Sequence, residues 1–550
     1  MNIKMLQKLQ KNFALIFILY FTQIQTSTAQ TYNVILGRPT DTSITASILF
    51  YQAANVYLEY GNQKGQYNQT TSQILVSASQ TVEIAMGGLS PNSLYYYRVR
   101  YKSPSSSNFL ASNEFTFRTQ RAKGESFVFT IEADEHLYDK KGVKSIYQLC
   151  LNNQAKDKPD FMISLGDIFG DDHYPNTITS EQLRMLHEDY RPFLGSICHS
   201  VPFYVCLGNH EGEMDYWIAK NPPNNLGINA TLWRKYYYPN PYPNAFYSGN
   251  QDIEPYGVGN PENYYSWTWG DALFVVLDAY RDQCDTSAKP KNWEWSFGKP
   301  QYDWLKKTLE TSTAKHKFVF NHHTRGQGRG GLTTAKYFEW GGYNMNGVYE
   351  FDKYRPGWGK PIHQLFIDNG VDIYFQGHDH VFAHEVLDGV VYQSLPMPSD
   401  STYMIGKLAN ADAYVSDTLD GSGHIRVSVN TDCVKVDYVR VYLPKDTVSG
   451  VHKNGEIGFS YILGTCPTNS NFTASEQDIR IFPNPANNQV FMYFKDKVSI
   501  QQYVLSNHLG QVVGKGSGDQ IDVSNLENGV YYLNVLTEQR KNSKKLIINH

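Results

Sequence analysis

Five short stretches of this chain concentrate aspartate, asparagine and histidine: Asp134-Glu135-His136, Gly166-Asp167, Gly208-Asn209-His210-Glu211, Asn321-His322-His323 and Gly377-His378-Asp379-His380. In Asp-x-His and His-x-His the two outer side chains fall on one side of an extended segment, so both can close on one ion. Imidazole suits zinc, iron, manganese and other transition ions, while carboxylates suit harder ions and can bridge two of them. Two cations roughly 3.5–4 Å apart can clamp a phosphoryl group, and water bound to such an ion loses its proton near pH 7. The chemistry these residues fit is metal binding, with metal-activated water available as a nucleophile. Consistent with that, neither GxSxG nor GxxxxGK[ST] occurs, which argues against serine acyl transfer and nucleotide-driven motors.

Each cluster follows an apolar run, in order Phe127–Ile131, Phe161–Leu165, Phe203–Leu207, Phe318–Phe320 and Ile373–Phe375. Runs of this kind read as buried strands, and ligands gather at the carboxyl ends of such strands in α/β cores. Helical stretches alternate with them at Lys144–Leu151, Ser180–Tyr190 and Tyr302–Leu309, and Leu273–Leu277 reads as one more strand. The window Gln301–Glu310 has amphipathic spacing. A layered α/β core follows. Residues 31–120 differ in texture: Val34–Leu36, Ser43–Phe50, Val56–Tyr60, Thr81–Met86, Leu94–Tyr101 and Phe115–Arg118 are short β-rich runs between turns, which predicts a β-sandwich. Gly, Ser, Thr and Asn dominate 446–474, which reads as a linker, and short strands resume from Asp478.

The chain has 550 residues, enough for three or four domains, with 41% hydrophobic and 19% charged residues, so it can bury cores. A net charge of −4 excludes a broad basic surface for nucleic acid or anionic membrane. The 41 tyrosines suit half-buried strands and wet surfaces, and so a β-rich exported protein. At the start, Lys4, Lys8 and Lys11 precede the apolar run Phe13–Phe21 and Ser27-Thr28-Ala29, the pattern of a secretory signal over 1–29. Nine apolar residues are too few to span a bilayer, so no transmembrane segment is predicted. Six cysteines, Cys150, Cys198, Cys206, Cys284, Cys433 and Cys466, allow disulfides with 15 pairings, and no CxxC points to a thiolate zinc site.

Taken together, Asp134-x-His136, Gly166-Asp167, Gly208–Glu211, Val319-x-x-His322 and Gly377-His378-x-His380 resemble the motif set of calcineurin-like metallophosphoesterases, close to purple acid phosphatases. The resemblance covers roughly 125–445, including Asn263–Asp278 and Trp304-Leu305. It implies a four-layer αββα catalytic domain and two divalent or mixed-valence metal ions drawn from Zn, Mn and Fe. By that resemblance Asp134, His136 and His380 hold one ion, Asn209, His322 and His378 hold the second, and Asp167 bridges them. His210 lies beside them as leaving-group acid or transition-state stabiliser, and Glu211 orients its imidazole. A departure is the tyrosine of the family's GDxxY pattern, whose place is taken by Gly170. A purple tyrosinate–iron colour is therefore not predicted, and the spacing gives no reason to move the role to Tyr174. Arg325, Arg329 and His323 follow the His322 loop and are candidates to meet substrate phosphate.

Leu89-Ser90-Pro91-Asn92-Ser93-Leu94-Tyr95-Tyr96 looks like the tyrosine-corner region of a fibronectin type III-like domain. At the other end, Phe482-Pro483-Asn484-Pro485-Ala486, Gly529-Val530-Tyr531-Tyr532 and Lys544-Lys545 resemble the type IX secretion sorting domain of Bacteroidota. The organisation predicted is a signal at 1–29, a β-sandwich at 30–120, a catalytic domain at 125–445, a linker at 446–477 and a sorting domain, itself a small β-sandwich, at 478–550. The function predicted is secreted or surface phosphate monoester hydrolysis, by attack of metal-activated hydroxide on phosphorus, with the type IX machinery as partner and no nucleic acid as structural partner. A phosphodiesterase or nucleotidase would use the same metal pair, and a surface binding protein with a structural metal site is a further alternative.

Overall fold

The apolar runs that precede the five polar clusters become strands of two stacked sheets. The computed structural model describes residues 31–169, 175–282, 291–324, 329–414, 417–448, 450–466, 479–494, 500–507, 512–537 and 541–550. The signal expected at 1–29, Gly170, Tyr174, Cys284 and Arg325 lie outside them. The chain divides into two units, one ending at Cys466 and one beginning at Pro467.

In the first unit, one six-stranded sheet runs Phe203–Val205, Phe161–Ser164, Phe127–Glu132, Gly423–Asn430, Cys433–Arg440, Ile457–Gly464. Its first three strands are parallel and the remainder antiparallel. The second sheet has eight strands, and Ala272–Val276, His316–Phe320, Ile373–Gln376 and Val390–Ser394 form its parallel centre. Aromatic side chains fill the space between the sheets: Phe129 meets Phe274 edge-on with ring centres 5.1 Å apart, and Trp267 stacks on Phe274 at 4.9 Å. Large rings bury the most apolar area per residue, which is why both inner faces are so rich in them.

The outer faces are covered by helices. Lys144–Asp157 and Ser180–Cys198 lay Tyr147, Leu151 and Leu194 on the six-stranded sheet. Gly298–Thr311 and Ile362–Asp368 lay Leu305, Leu309, Leu365 and Phe366 on the eight-stranded one. The layer order is αββα. The Ser180–Cys198 helix starts at a capping box, Thr179 accepting from the Gln182 N–H while the Gln182 side chain takes the Thr179 N–H.

Ahead of this core, strands between Tyr32 and Arg118 form a three-stranded and a six-stranded sheet around Ile48, Val56, Leu58, Tyr97 and Val99. The buried Arg191 guanidinium ties them to the αββα layers, donating to the Asn33, Ser47 and Tyr237 carbonyls. The span 446–477 is not simply a linker. Ile457–Gly464 pairs with Cys433–Arg440 as the edge strand of the six-stranded sheet, and a Cys433–Cys466 disulfide closes that end. Its sequence, IGFSYILG, is largely apolar yet half-exposed, as an edge strand allows. Cys150, Cys198 and Cys206 are buried thiols.

The second unit is built from a three-stranded and a four-stranded antiparallel sheet, with Val490, Leu533, Val535 and Leu546 in its core.

Candidate metal centre

The carboxyl ends of the Phe127–Glu132, Phe161–Ser164 and Phe203–Val205 strands meet those of His316–Phe320 and Ile373–Gln376 at one edge of the sandwich. Their loops bring three groups of potential ligands together: Asp134, His136 and His380; His136, Asp167 and His210; and Asp167, His322 and His378. Asp167 Oδ2 sits centrally, 3.3 Å from His322 Nε2, 3.7 Å from His136 Nε2 and 3.9 Å from His210 Nε2. Asn209 Oδ1 lies 3.2 Å from His322 Nε2.

Backbone geometry aims these side chains. Asp134, His136, Asp167, His378 and His380 all have positive φ, between 46° and 70°. Non-glycine residues pay roughly 1 kcal/mol or more for that conformation, and such strain gathers at functional sites. Two glycines permit the close packing of the loops. A Cβ on Gly208 would come 2.3 Å from Asp167 Oδ1, and one on Gly377 2.6 Å from Asp134 Oδ2. The backbone also holds the carboxylates: Asp134 Oδ2 accepts the His378 N–H at 2.8 Å and Asp167 Oδ1 the His210 N–H at 2.8 Å.

The imidazoles are oriented by what their Nδ1 atoms meet. His322 Nδ1 is 2.7 Å from the Leu165 carbonyl and His380 Nδ1 3.0 Å from the Leu408 carbonyl. A carbonyl only accepts, so each Nδ1 carries the proton and each Nε2 faces the centre. His136 Nδ1 faces the Asp139 carboxylate at 3.2 Å, with the Tyr138 hydroxyl at 3.1 Å. The Nε2 atoms of His136 and His380 converge to 3.0 Å, and Asp134 Oδ1 is buried without a hydrogen-bond partner. Buried polar atoms are ordinarily paired. Lone pairs and a carboxylate oxygen converging on one point, with Nδ1–H groups held from behind, are what a cation needs. The residues present fit metal ions.

The electrostatics agree. Burial, reinforced by the charge of Asp167, raises the Asp134 pKa to about 8. Burial also works on Asp167, but His322 and His210 outweigh it and hold its carboxyl well below the usual range. For His322, burial disfavours the charged ring, yet Asp167 and Asp134 prevail and lift the pKa to about 10. The field that holds a proton at that Nε2 would also hold a cation, which displaces the proton on binding. Burial and the neighbouring His322 lower His378 to about 3.

Three residues behave differently from the sequence reading. Glu211 does not spend its carboxylate on orienting His210: its oxygens accept the backbone N–H groups of Asp167, Ile168 and Gly208 at 3.0, 2.7 and 2.5 Å. It is a positioning residue that locks two ligand loops together. His323 is fully buried, its ring 4.7 Å from that of His378. Arg329 is half exposed and faces two carboxylates, 3.9 Å from Asp379 and 3.9 Å from Asp412. Asp139 escaped the sequence reading although its spacing from His136 was visible; nothing in the sequence marks the Leu165 and Leu408 carbonyls.

Residues 129–382 match the calcineurin-like phosphoesterase family. The chain carries a calcineurin-like phosphoesterase domain. Domains of this family are metal-dependent and use a dinuclear centre, which agrees with the clusters just described. A second match covers 480–549, a secretion system C-terminal sorting domain. Among curated proteins the chain is 22% identical over 347 residues to a probable purple acid phosphatase 20 of Arabidopsis thaliana, covering 62% of this chain and 64% of that one. Solved structures with the same fold include PhoD, with TM-score 0.55, 18% identity, 78% of this chain and 90% of that one covered. Another is the purple acid phosphatase PPD1 from yellow lupin (Lupinus luteus) seeds, with TM-score 0.51, 14% identity and 80% and 77% covered. Among the described residues no helix is long and apolar enough to cross a membrane.

Proposed function

We propose that the protein is an exported, dinuclear-metal phosphoesterase that hydrolyses phosphate monoesters. The observation that carries this is Asp167, whose Oδ2 stands between His136, His210 and His322 and so belongs to two of the three ligand groups. In the proposed assignment Asp134, His136 and His380 hold one ion, Asn209, His322 and His378 the other, and Asp167 is shared. A pair drawn from zinc, manganese and iron would supply charge for the phosphoryl oxygens and acidify water at neutral pH.

The chain's own residues do the rest. Glu211 fixes the loops bearing Asp167 and Asn209 in register. His210 is the residue placed to give the departing alkoxide a proton; its side chain is 18% exposed where His136 is 1%, so it borders the open side. The sorting domain supports export by the type IX route, and the purple acid phosphatase relative supports the monoester reading. Gly170 in the tyrosine position argues for a colourless centre. Turnover of p-nitrophenyl phosphate should exceed that of bis-p-nitrophenyl phosphate, and chelation should abolish both. A preference for the diester would overturn the monoester reading, and activity untouched by chelation would overturn the metal centre.

A further inference from the structure

Beside the ligand loops lies a cleft of about 370 Å³ to which no role has yet been given. One wall, 175–180, continues the Gly166-Asp167 loop, and the other, 217–229, continues Gly208–Glu211. The second wall is packed directly onto the ligand loop. A Cβ on Gly212 would come 2.9 Å from Leu226 Cγ, so only glycine lets Leu226 of the cleft seat there. Gly212 is two residues from His210, a span of at most about 7 Å. Leu226 thus joins the cleft wall to the loop that carries Asn209 and His210.

Its mounting is rigid. Buried Glu213 follows Gly212 and is held by Arg234 at 2.6 Å, Arg281 at 2.9 Å and the Thr231 hydroxyl at 2.8 Å. Asn225 is consumed in structure, accepting the Ile228 N–H and donating to the Ile218 carbonyl. Asn221, Asn224 and Asn229 also line the cleft, and their side chains form no hydrogen bond with described residues. Lys220 is fixed by Asn176 Oδ1 at 3.1 Å and by the Trp217 ring, whose centre lies 5.6 Å from Nζ. Among the described residues no carboxylate lines the cleft.

This lining specifies a ligand chemistry. A primary amide both donates and accepts, which matches hydroxyl groups, and an ammonium matches an anion. We infer that the cleft binds the leaving group of the substrate and selects a polyhydroxylated phosphate ester bearing a second anionic group, such as a sugar or polyol bisphosphate. The inference rests on the phosphoesterase reading above. Sites that hydrogen-bond hydroxyls discriminate strongly against esters lacking them, because their polar groups are then left unpaired.

The test compares kcat/KM for fructose 1,6-bisphosphate and p-nitrophenyl phosphate in the full, metal-loaded protein, in Lys220→Ala and in the Asn224→Ala/Asn229→Ala double variant. Both variants should lose at least tenfold on the bisphosphate, chiefly through KM, while staying within twofold on p-nitrophenyl phosphate. Lys220→Arg should retain most of the bisphosphate activity. Equal losses on both esters, no loss on the bisphosphate, or a wild type that turns over only p-nitrophenyl phosphate would overturn the cleft assignment and leave the hydrolase intact. A wild type inactive on both esters would overturn the hydrolase reading, and this inference with it.

Discussion

Buried acids in this protein are treated by the fold in two opposite ways. Glu213, 2% exposed, has both oxygens paired, to Arg234, Arg281 and Thr231, and the arginines outweigh burial to hold its pKa low. Asp134 and Asp167, equally buried, have no arginine or lysine among their close partners in the described residues and are surrounded by imidazoles, with one Asp134 oxygen unpaired. The same chain therefore has the means to neutralise a buried carboxylate and withholds them at the ligand cluster. A guanidinium there would occupy the space and charge that metal ions need. At these two sites a cationic partner goes with the structural acid and imidazoles go with the candidate ligands.

The contrast makes opposite predictions for one kind of substitution. Glu213→Gln should cost about 3–5 kcal/mol of unfolding free energy, because it leaves two buried guanidinium groups short of their counter-charge. Asp134→Asn in metal-free protein should cost under about 1 kcal/mol or stabilise, since it removes a desolvated acid beside another. Urea unfolding of both variants checks this, and similar losses at the two sites would break the comparison.

A smaller effect is predicted at Asp157, which lies between these extremes. It pairs with His424 at 2.9 Å and Arg426 at 2.7 Å, and these partners outweigh burial to depress its pKa. A depressed folded-state pKa contributes stability above the unfolded value of about 4, and that stability is lost as pH falls through the folded pKa. Asp157→Asn should therefore cost about 1–3 kcal/mol at pH 7, with the gap from wild type closing below about pH 4. A gap that is constant from pH 7 to pH 3 would rule the pairing out as its source.

The centre was more legible in the sequence than its supports. Asp134 to His380 each follow an apolar run, and strand ends are where side chains can converge, so their gathering could be argued from spacing. The helix at Gly298–Thr311 was visible as amphipathic spacing over Gln301–Glu310. The αββα order came from the resemblance alone, because buried aromatic strands do not reveal which face meets which sheet. Glu213 and Arg281 are 68 residues apart and look like surface charges until the fold buries them. Ile457–Gly464 was hidden by the Gly-, Ser-, Thr- and Asn-rich stretch around it. The single described disulfide, Cys433–Cys466, was one of many pairings the count allowed. Glu211 was misread because its motif neighbour suggested a side-chain partner, whereas backbone N–H groups claim it.

The central claim is that two metal ions share Asp167, and metal content tests it most directly. Protein loaded with zinc, manganese or iron and then desalted should carry two ions per chain. Glu213→Gln should keep both, while Asp167→Ala should lose at least one and with it the phosphatase activity. A wild type that saturates at one ion or none while fully active, or an Asp167→Ala variant that retains two ions, would contradict the account.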